Sequence, residues 1–184
     1  MKLIFLMALM AIAVVSHAKN SNEGFPLMAW DYATDDATLK AMSECGINMV
    51  AFVPPKMLDK CRKYGIQAIV FEGNFNAYAD LPALSKLIKK VNNHPAVFGY
   101  HLKDEPSAEE YPALAKAVEL VKREAPGKWP YINLFPGDGD AYEKYVEDFC
   151  TIVKPPILSY DLYAVGEGGG FSDGFWVTIA RIRE

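Results

Sequence analysis

The chain has 184 residues, of which 51% are hydrophobic and 12% aromatic, enough apolar material for one domain with a packed core. This composition excludes a disordered chain and a coiled coil. The formal net charge is −4 and no run of Lys and Arg exceeds two residues, so the sequence lacks the basic patch of a nucleic-acid-binding protein.

The first 18 residues have the pattern of a secretory signal peptide. Lys2 gives a positive start, an unbroken apolar run covers 3–15, and the small residues Ser16 and Ala18 stand at −3 and −1 of a cleavage point. The apolar run is shorter than the about 20 residues that a membrane-spanning helix needs. The sequence therefore predicts an exported protein, periplasmic or extracellular, with no membrane attachment after cleavage. A buried N-terminal helix is the alternative.

Residues 19–184 alternate short apolar runs with longer amphipathic segments. The apolar runs predict six strands, at 26–30, 48–53, 67–71, 97–102, 130–135 and 157–163. The amphipathic segments predict helices at 35–44, 57–64, 84–91, 114–121, 142–153 and 175–183. Successive apolar positions are typical of strands that are covered on both faces, as in a parallel sheet.

Strict alternation of strand and helix predicts an α/β fold made of right-handed βαβ units. The segment after the first strand, Trp30-Asp31-Tyr32-Ala33, has no glycine, whereas a doubly wound sheet often carries a Gly-rich phosphate loop there. A (β/α)8 TIM barrel usually takes about 250 residues, and about six βα units are visible. The prediction is an incomplete TIM barrel, the N-terminal part of a longer domain. A closed six-stranded parallel sheet or an open sandwich is the alternative.

Three cysteines, Cys45, Cys61 and Cys150, fall in predicted helices. We expect three buried thiols that pack as small hydrophobic residues, and the alternative is one disulfide with one thiol left over. There is no Cys-x-x-Cys motif and no Cys/His cluster, so the sequence predicts no metal and no cofactor.

In a barrel, catalytic groups lie at the carboxyl ends of the strands. The candidate site residues at these positions are Trp30, Glu72, Tyr100, Asp104, Glu105, Asn133, Asp161 and Tyr163. The set is acidic, amide-rich and aromatic. Such a lining suits a neutral polyol, an oligo- or polysaccharide, better than a phosphate.

The most informative segment is His94-Pro-Ala-Val-Phe-Gly-Tyr-His-Leu-Lys-Asp-Glu-Pro106 at the fourth strand. Ser107-Ala-Glu-Glu110 follows it as a capping box that begins the next helix. Because proline disfavours the helical region for the residue before it, we expect an extended backbone at Glu105. The carboxyl group of Glu105 would then be fixed at the rim of the sheet.

This segment resembles the fourth strand of clan A glycoside hydrolases, which are retaining (β/α)8 barrel enzymes. In that clan an Asn-Glu pair, often Asn-Glu-Pro, ends the strand. The resemblance implies that Glu105 is the general acid/base. Asp104 stands where the clan usually has an Asn that hydrogen-bonds the sugar 2-hydroxyl, and Tyr163 resembles the aromatic residue that follows the sixth strand. The chain also looks like barrel proteins of gut Bacteroides-type bacteria that act in glycan breakdown.

Retaining hydrolysis requires two carboxyl groups about 5–5.5 Å apart. In the resembled clan the nucleophile is a Glu that ends the seventh strand, so we expect the 184 residues to lack it and to be inactive and poorly folded alone. Glu72 and Asp161 are possible substitutes within the chain. A hydroxyl-binding or salt-bridged role explains these two carboxylates better.

The predicted function is therefore that of a secreted glycoside hydrolase. Glu105 is its proton donor, Asp104, Asn133 and Tyr163 contact sugar, and Trp30 and Tyr100 are aromatic platforms. A non-catalytic glycan-binding barrel or a decayed enzyme is the alternative. A more distant alternative is a lyase or aldolase barrel that uses Lys103, although a charge partner for Asp104 or Glu105 is the simpler role for this lysine.

Overall fold

The computed structural model describes residues 25–32, 35–137, 139–165, 170 and 173–182. The predicted signal peptide, residues 1–18, lies outside the described residues. Among the helices that are described, none combines the length and the apolar character that a membrane span requires.

The described chain contains five strands, each followed by an α-helix, and a sixth α-helix after the fifth. They are β1 (Met28–Ala29), α1 (Asp36–Glu44), β2 (Met49–Val53), α2 (Leu58–Lys63), β3 (Gln67–Val70), α3 (Leu81–Val91), β4 (Val97–Asp104), α4 (Tyr111–Glu124), β5 (Trp129–Asn133), α5 (Gly139–Val153) and α6 (Asp173–Ile182). Short 3-10 turns at Pro55–Met57 and Ala108–Glu110 lead into α2 and α4.

All five strands pair in parallel, in the order β1-β2-β3-β4-β5. Each strand therefore pairs with the next strand in sequence. A doubly wound sheet instead reverses its order at a switch point. The sheet is a half-barrel, which confirms the α/β class and agrees with the predicted incomplete barrel.

The sixth predicted strand, 157–163, is reduced to a single parallel bridge between Leu134 and Tyr160. Two backbone hydrogen bonds hold it, from Leu134 N to Ser159 O at 2.9 Å and from Asp161 N to Leu134 O at 3.1 Å. Prolines flank the bridge, at 136 on one segment and at 155 and 156 on the other. Because proline has no N–H, it limits a longer ladder. Within the described residues, the predicted sixth strand is therefore corrected to this bridge beside the five strands.

The main core lies between the helices and one face of the sheet. The predicted apolar faces are confirmed in two helices: Leu84, Leu87, Ile88 and Val91 of α3 are buried, as are Leu114, Ala117, Val118 and Val121 of α4. A smaller buried cluster, Met49, Ile69 and Tyr131, comes from strands alone. It lies on the opposite, inner face of the half-barrel, the face that also carries the candidate site.

The cysteine prediction holds only for Cys61, which is buried in α2. Cys45 is exposed at the end of α1, and Cys150 is exposed on α5. Cys150 follows the buried Phe149 by one residue, which turns its side chain about 100° around the helix and away from the core. All three thiols are free, so no disulfide forms.

Candidate active site

Glu105 lies directly after β4, but its backbone is not extended as the following proline predicted. Its φ is +48°, in the left-handed region, which is uncommon for a residue other than glycine. One hydrogen bond and the burial of the following proline explain the difference. The Glu105 N–H donates to the Asn133 carbonyl at 2.8 Å, which continues the β4–β5 ladder by one bond, and Pro106 is buried. The predicted capping box is present, with the Ser107 N–H donating to Glu110 Oε2 at 2.8 Å.

The Asn133 side chain joins the carboxyl ends of β4, β5 and the bridge segment. Asn133 is 3% exposed, and its Nδ2 donates to Asp104 Oδ1 at 3.2 Å and to Asp161 Oδ1 at 2.9 Å. Its Oδ1 accepts from Ser159 Oγ at 2.9 Å, and Ser159 Oγ in turn lies 2.7 Å from the Tyr131 hydroxyl. The amide thereby fixes two carboxylates on either side of one buried nitrogen.

We name Asp104, Glu105 and Asp161 the carboxylate cluster. The pKa of Glu105 is raised, first by partial removal from solvent and then by the negative charges of Asp104 and Asp161. A raised pKa shifts a carboxyl group toward its protonated form, which is the direction that a general acid requires. The pKa of Tyr163 is also raised, first by Asp161, and its side chain is 73% exposed. The structure thus brings Asp104, Glu105, Asn133, Asp161 and Tyr163 together.

Helix α5 supports the turn that carries Glu105. The Tyr145 hydroxyl donates to the Pro106 carbonyl at 2.7 Å, and the Tyr111 hydroxyl donates to the Tyr145 carbonyl at 3.1 Å. Tyr145 lies in the predicted helix 142–153 and is not among the candidate site residues predicted from the sequence. A tyrosine on such a face is a usable signal, because a buried phenol needs a hydrogen-bond partner.

Tyr100 is not part of this site, which corrects the prediction that it is a sugar platform. It is completely buried between the sheet and the helices, and its hydroxyl donates to Asn92 Oδ1 at 3.3 Å. Successive side chains of a strand point to opposite faces. His101, the next residue, therefore lies on the inner face.

Trp30 belongs to an aromatic cluster at the carboxyl ends of β1, β2 and β3. Its ring centroid lies 4.6 Å from that of Phe52, and Tyr32 stacks on Phe52 at 4.9 Å. Phe52 also contacts Phe71 at 5.6 Å and His101 at 4.8 Å. Trp30 and Tyr32 remain 41% and 52% exposed, so the cluster offers two ring surfaces to solvent.

A backbone irregularity places Phe52 in this cluster. Its φ is +50°, and the register of β2 with β3 shifts between Val50 and Val53. Val50 and Val53 both pack in the core beside the helices, although residues three apart in a regular strand face opposite sides. The irregularity therefore turns the Phe52 ring to the inner face. No local sequence signal marks this shift.

Glu72 follows β3 and lines a groove between the β3–α3 loop and β4, together with Asn74, Tyr78, His101 and Asp104. The groove has a volume of about 460 Å³. Asp104 is the residue that this groove shares with the carboxylate cluster.

Lys103 forms an ion pair with Glu110, with Nζ 3.5 Å from Oε1, and lies over the ring of Tyr78 at 5.7 Å. The Tyr78 hydroxyl donates to the same Glu110 carboxylate. Glu110, rather than the expected Asp104 or Glu105, is therefore the charge partner of Lys103. Within the described part of the chain, no three His, Cys, Asp or Glu side chains are grouped so that they could hold a metal ion.

No protein-family model matches the sequence, and no curated protein matches it. Solved structures do match. β-Glucuronidase 2 of Bacteroides uniformis is 19% identical with a TM-score of 0.58, over 85% of this chain and 23% of that one. A β-glucuronidase of Parabacteroides merdae is 14% identical with a TM-score of 0.57, over 86% and 23%. The β-mannanase of the blue mussel Mytilus edulis is 11% identical with a TM-score of 0.55, over 81% and 72%.

This chain spans about a quarter of the length of the two glucuronidases. At such low identities the similarity concerns the fold alone. The half-barrel of five parallel strands and its helices is thus a fold that the chain shares with solved glycoside hydrolases.

Proposed function

We propose that this protein is an exported retaining glycoside hydrolase in which Glu105 is the general acid/base. The observation that carries the proposal is the position of Glu105 at the carboxyl end of β4, with its pKa raised by burial and by Asp104 and Asp161. The glycosidase names of the solved structures with this fold support the same reaction class. The signal-peptide pattern of residues 1–18 supports export, periplasmic or extracellular.

In the proposed reaction, the protonated Glu105 carboxyl donates its proton to the glycosidic oxygen as the bond to the leaving group breaks. Asp104 and Asp161 accept hydrogen bonds from sugar hydroxyls while Asn133 keeps both carboxylates in place. Tyr163 and Trp30 supply exposed rings for the apolar face of a sugar. The resemblance assigns the nucleophile to a glutamate of a seventh strand, about 5–5.5 Å from the acid.

Glu105→Gln tests this role through the leaving group of the substrate. The protein expressed from its whole reading frame is assayed with β-glucosides, β-galactosides, β-mannosides and β-glucuronides that carry either phenol or 2,4-dinitrophenol. Phenol is a poor leaving group and needs protonation, so its release should fall about 10²–10⁴-fold, the usual contribution of general acid catalysis. Dinitrophenol needs no proton, so its release in a single turnover should be nearly unchanged.

Glu109→Gln is the matched control, because Glu109 is an exposed acid of the next turn. It should leave both leaving groups unaffected. An equal loss for phenol and dinitrophenol in Glu105→Gln would contradict the acid role. Asp161→Asn tests whether Asp161 is the nucleophile rather than a residue that binds sugar hydroxyls. If Asp161 is the nucleophile, this variant should release neither phenol nor dinitrophenol.

The second candidate function is that of a glycan-binding barrel without catalysis. The identity of residue 104, an aspartate, is the observation that favours it. An aspartate stands where the resembled clan has a donor amide, and its Oδ1 already accepts from Asn133. This candidate predicts oligosaccharide binding with no turnover of any aryl glycoside. The alternative of a lyase or aldolase barrel requires Lys103 to be available for reaction. The ion pair of Lys103 with Glu110 argues against this alternative.

A further inference from the structure

The carboxylate of Glu110 joins three segments beside the turn that carries Glu105. Its Oε2 accepts from the Ser107 N–H at 2.8 Å, and the Glu110 N–H donates in return to the Ser107 hydroxyl oxygen. Its Oε1 accepts from the hydroxyl of Tyr78, which lies in the loop between β3 and α3. The same Oε1 lies 3.5 Å from Lys103 Nζ of β4. One side chain therefore links this turn to the β3–α3 loop and to β4.

The contacts of Glu110 are largely shielded from solvent. The side chains of Glu110 and Lys103 are 22% and 31% exposed, and Lys103 Nζ lies over the Tyr78 ring at 5.7 Å. Hydrogen bonds to a charged group are shorter and stronger than those between neutral groups. The phenol and the cation together hold Oε1, so the carboxylate cannot turn away from the Ser107 N–H without disturbing them.

The backbone at Glu105 is in a conformation that needs support. Its φ of +48° is left-handed, and such conformations persist only where the surroundings hold them. The Glu105 N–H is bonded to the Asn133 carbonyl, and Pro106 has no N–H to offer. The bond from Ser107 to Glu110 is therefore the next backbone N–H anchor of the turn after Glu105 itself.

We propose that Tyr78, acting through Glu110, is a positioning residue for the carboxyl group of Glu105. The hydroxyl of Tyr78 fixes the Glu110 carboxylate, and this carboxylate fixes the turn. The inference rests on the proposed function for the acid role of Glu105. It gives the β3–α3 loop a part in placing the acid, although Tyr78 does not contact Glu105.

Tyr78→Phe tests the inference, because it keeps the ring beside Lys103 and removes only the hydroxyl. In the protein expressed from its whole reading frame, hydrogen exchange by mass spectrometry follows the peptides that contain Glu105 and Ser107. Their amides should exchange about three- to tenfold faster, the effect of one lost hydrogen bond on local opening. Release of phenol at saturating substrate should fall by a similar factor. Release of dinitrophenol in a single turnover should be nearly unchanged, because it needs no proton.

Tyr64→Phe is the control, because the chain contains a second group of the same kind. The Tyr64 hydroxyl donates to the Asp36 carboxylate, Lys63 Nζ lies 3.2 Å from Asp36 Oδ2, and this Nζ lies over the Tyr64 ring at 4.7 Å. These residues belong to α1 and to the end of α2, away from the turn. The variant should leave amide exchange at Glu105 and Ser107 and the release of both leaving groups unchanged.

A double variant tests the route through Glu110. Glu110→Ala removes the acceptor of the Tyr78 hydroxyl, so adding Tyr78→Phe to it should change neither exchange nor phenol release further. Additive effects of the two substitutions would mean that Tyr78 acts on the turn by another route, and they would overturn the inference.

The two readouts separate this inference from the proposed function. Unchanged exchange in Tyr78→Phe overturns the inference, even where release of phenol depends on Glu105. Faster exchange with unchanged release of phenol, or with an equal loss for both leaving groups, overturns it as well, because the acid is then not what moves. Faster exchange in a protein that cleaves no aryl glycoside would reject the hydrolase and retain the support of the turn by Tyr78 and Glu110.

Discussion

At the scale of single residues, two buried polar side chains of the sheet, Asn133 and His101, differ in how their hydrogen-bonding atoms are satisfied. The side-chain nitrogen and oxygen of Asn133 are both hydrogen-bonded. In contrast, His101 Nε2 is buried and has no hydrogen-bond partner within the described residues. Burial lowers the pKa of His101 to about 4, with the nearby Lys103 as the second cause, so the imidazole is neutral at pH 7.

This lowered pKa predicts a loss of stability in acid. Between pH 6.5, the ordinary histidine value, and pH 4, the unfolded chain binds a proton at His101 that the folded chain does not. The free energy of unfolding therefore falls as the pH drops through this window, by about 3 kcal/mol in total, and is unaffected at pH 7. Urea unfolding at successive pH values measures the slope.

In His101→Phe the same titration should be flatter between pH 6.5 and 4. Other groups titrate equally in both proteins, so the difference between the two curves isolates the histidine. Identical slopes would mean that the folded state protonates His101 as readily as the unfolded chain does.

At the scale of elements, α5 fixes the turn in which Glu105 lies. The Tyr145 hydroxyl holds the carbonyl of Pro106, and Pro106 follows a residue with a left-handed backbone. Such backbone conformations persist only where the surroundings hold them. Tyr145 is therefore a positioning residue for Glu105, and it acts from a helix rather than from a strand end.

Tyr145→Phe should lower the free energy of unfolding by about 1 kcal/mol, the usual contribution of one hydrogen bond. If Tyr145 positions the acid, the variant should also reduce release of phenol several-fold while release of dinitrophenol is retained. Tyr142→Phe is the control, because it removes a similar bond from the same helix, to the Phe135 carbonyl at 2.8 Å. An equal loss of phenol release in both variants would reduce Tyr145 to a purely structural role.

At the scale of the whole molecule, the described sheet is a half-barrel with β1 and β5 at its edges. The bridge at Tyr160 covers part of the β5 edge. The β1 side carries exposed apolar residues, with Phe25 86% and Leu27 50% exposed. Exposed strand edges with apolar side chains favour pairing with another chain.

We expect residues 19–184 expressed alone to self-associate as the concentration rises, which sedimentation velocity measures. Leu27→Lys places a charge at the β1 edge and should reduce this association. Ile152→Lys, a similar change at a 44% exposed position of α5, should not. A concentration-independent monomer, or an equal effect of both lysines, would mean that the β1 edge does not pair.

Periodicity alone predicted the helices and most of the strands, because each buried face repeats at the spacing of its own element. The apolar faces of α3 and α4 are clear examples. Periodicity failed at the sixth strand, where prolines limit the ladder of backbone hydrogen bonds. It also failed at Tyr100, because a shift of one residue along β4 moves a side chain from one face of the sheet to the other. A single irregularity in a strand changes that face, and short sequence patterns do not reveal irregularities.

The order of strands and helices, the parallel sheet and the acidic end of β4 could be predicted without the structure, because local spacing and the short motif that ends in Glu105 encode them. Three features emerge only in the folded chain. Asn133 bridges Asp104 and Asp161, Phe52 turns inward, and His101 Nε2 has no partner in the described chain. Each of these depends on contacts between segments about 20 to 70 residues apart along the chain, which local patterns do not encode.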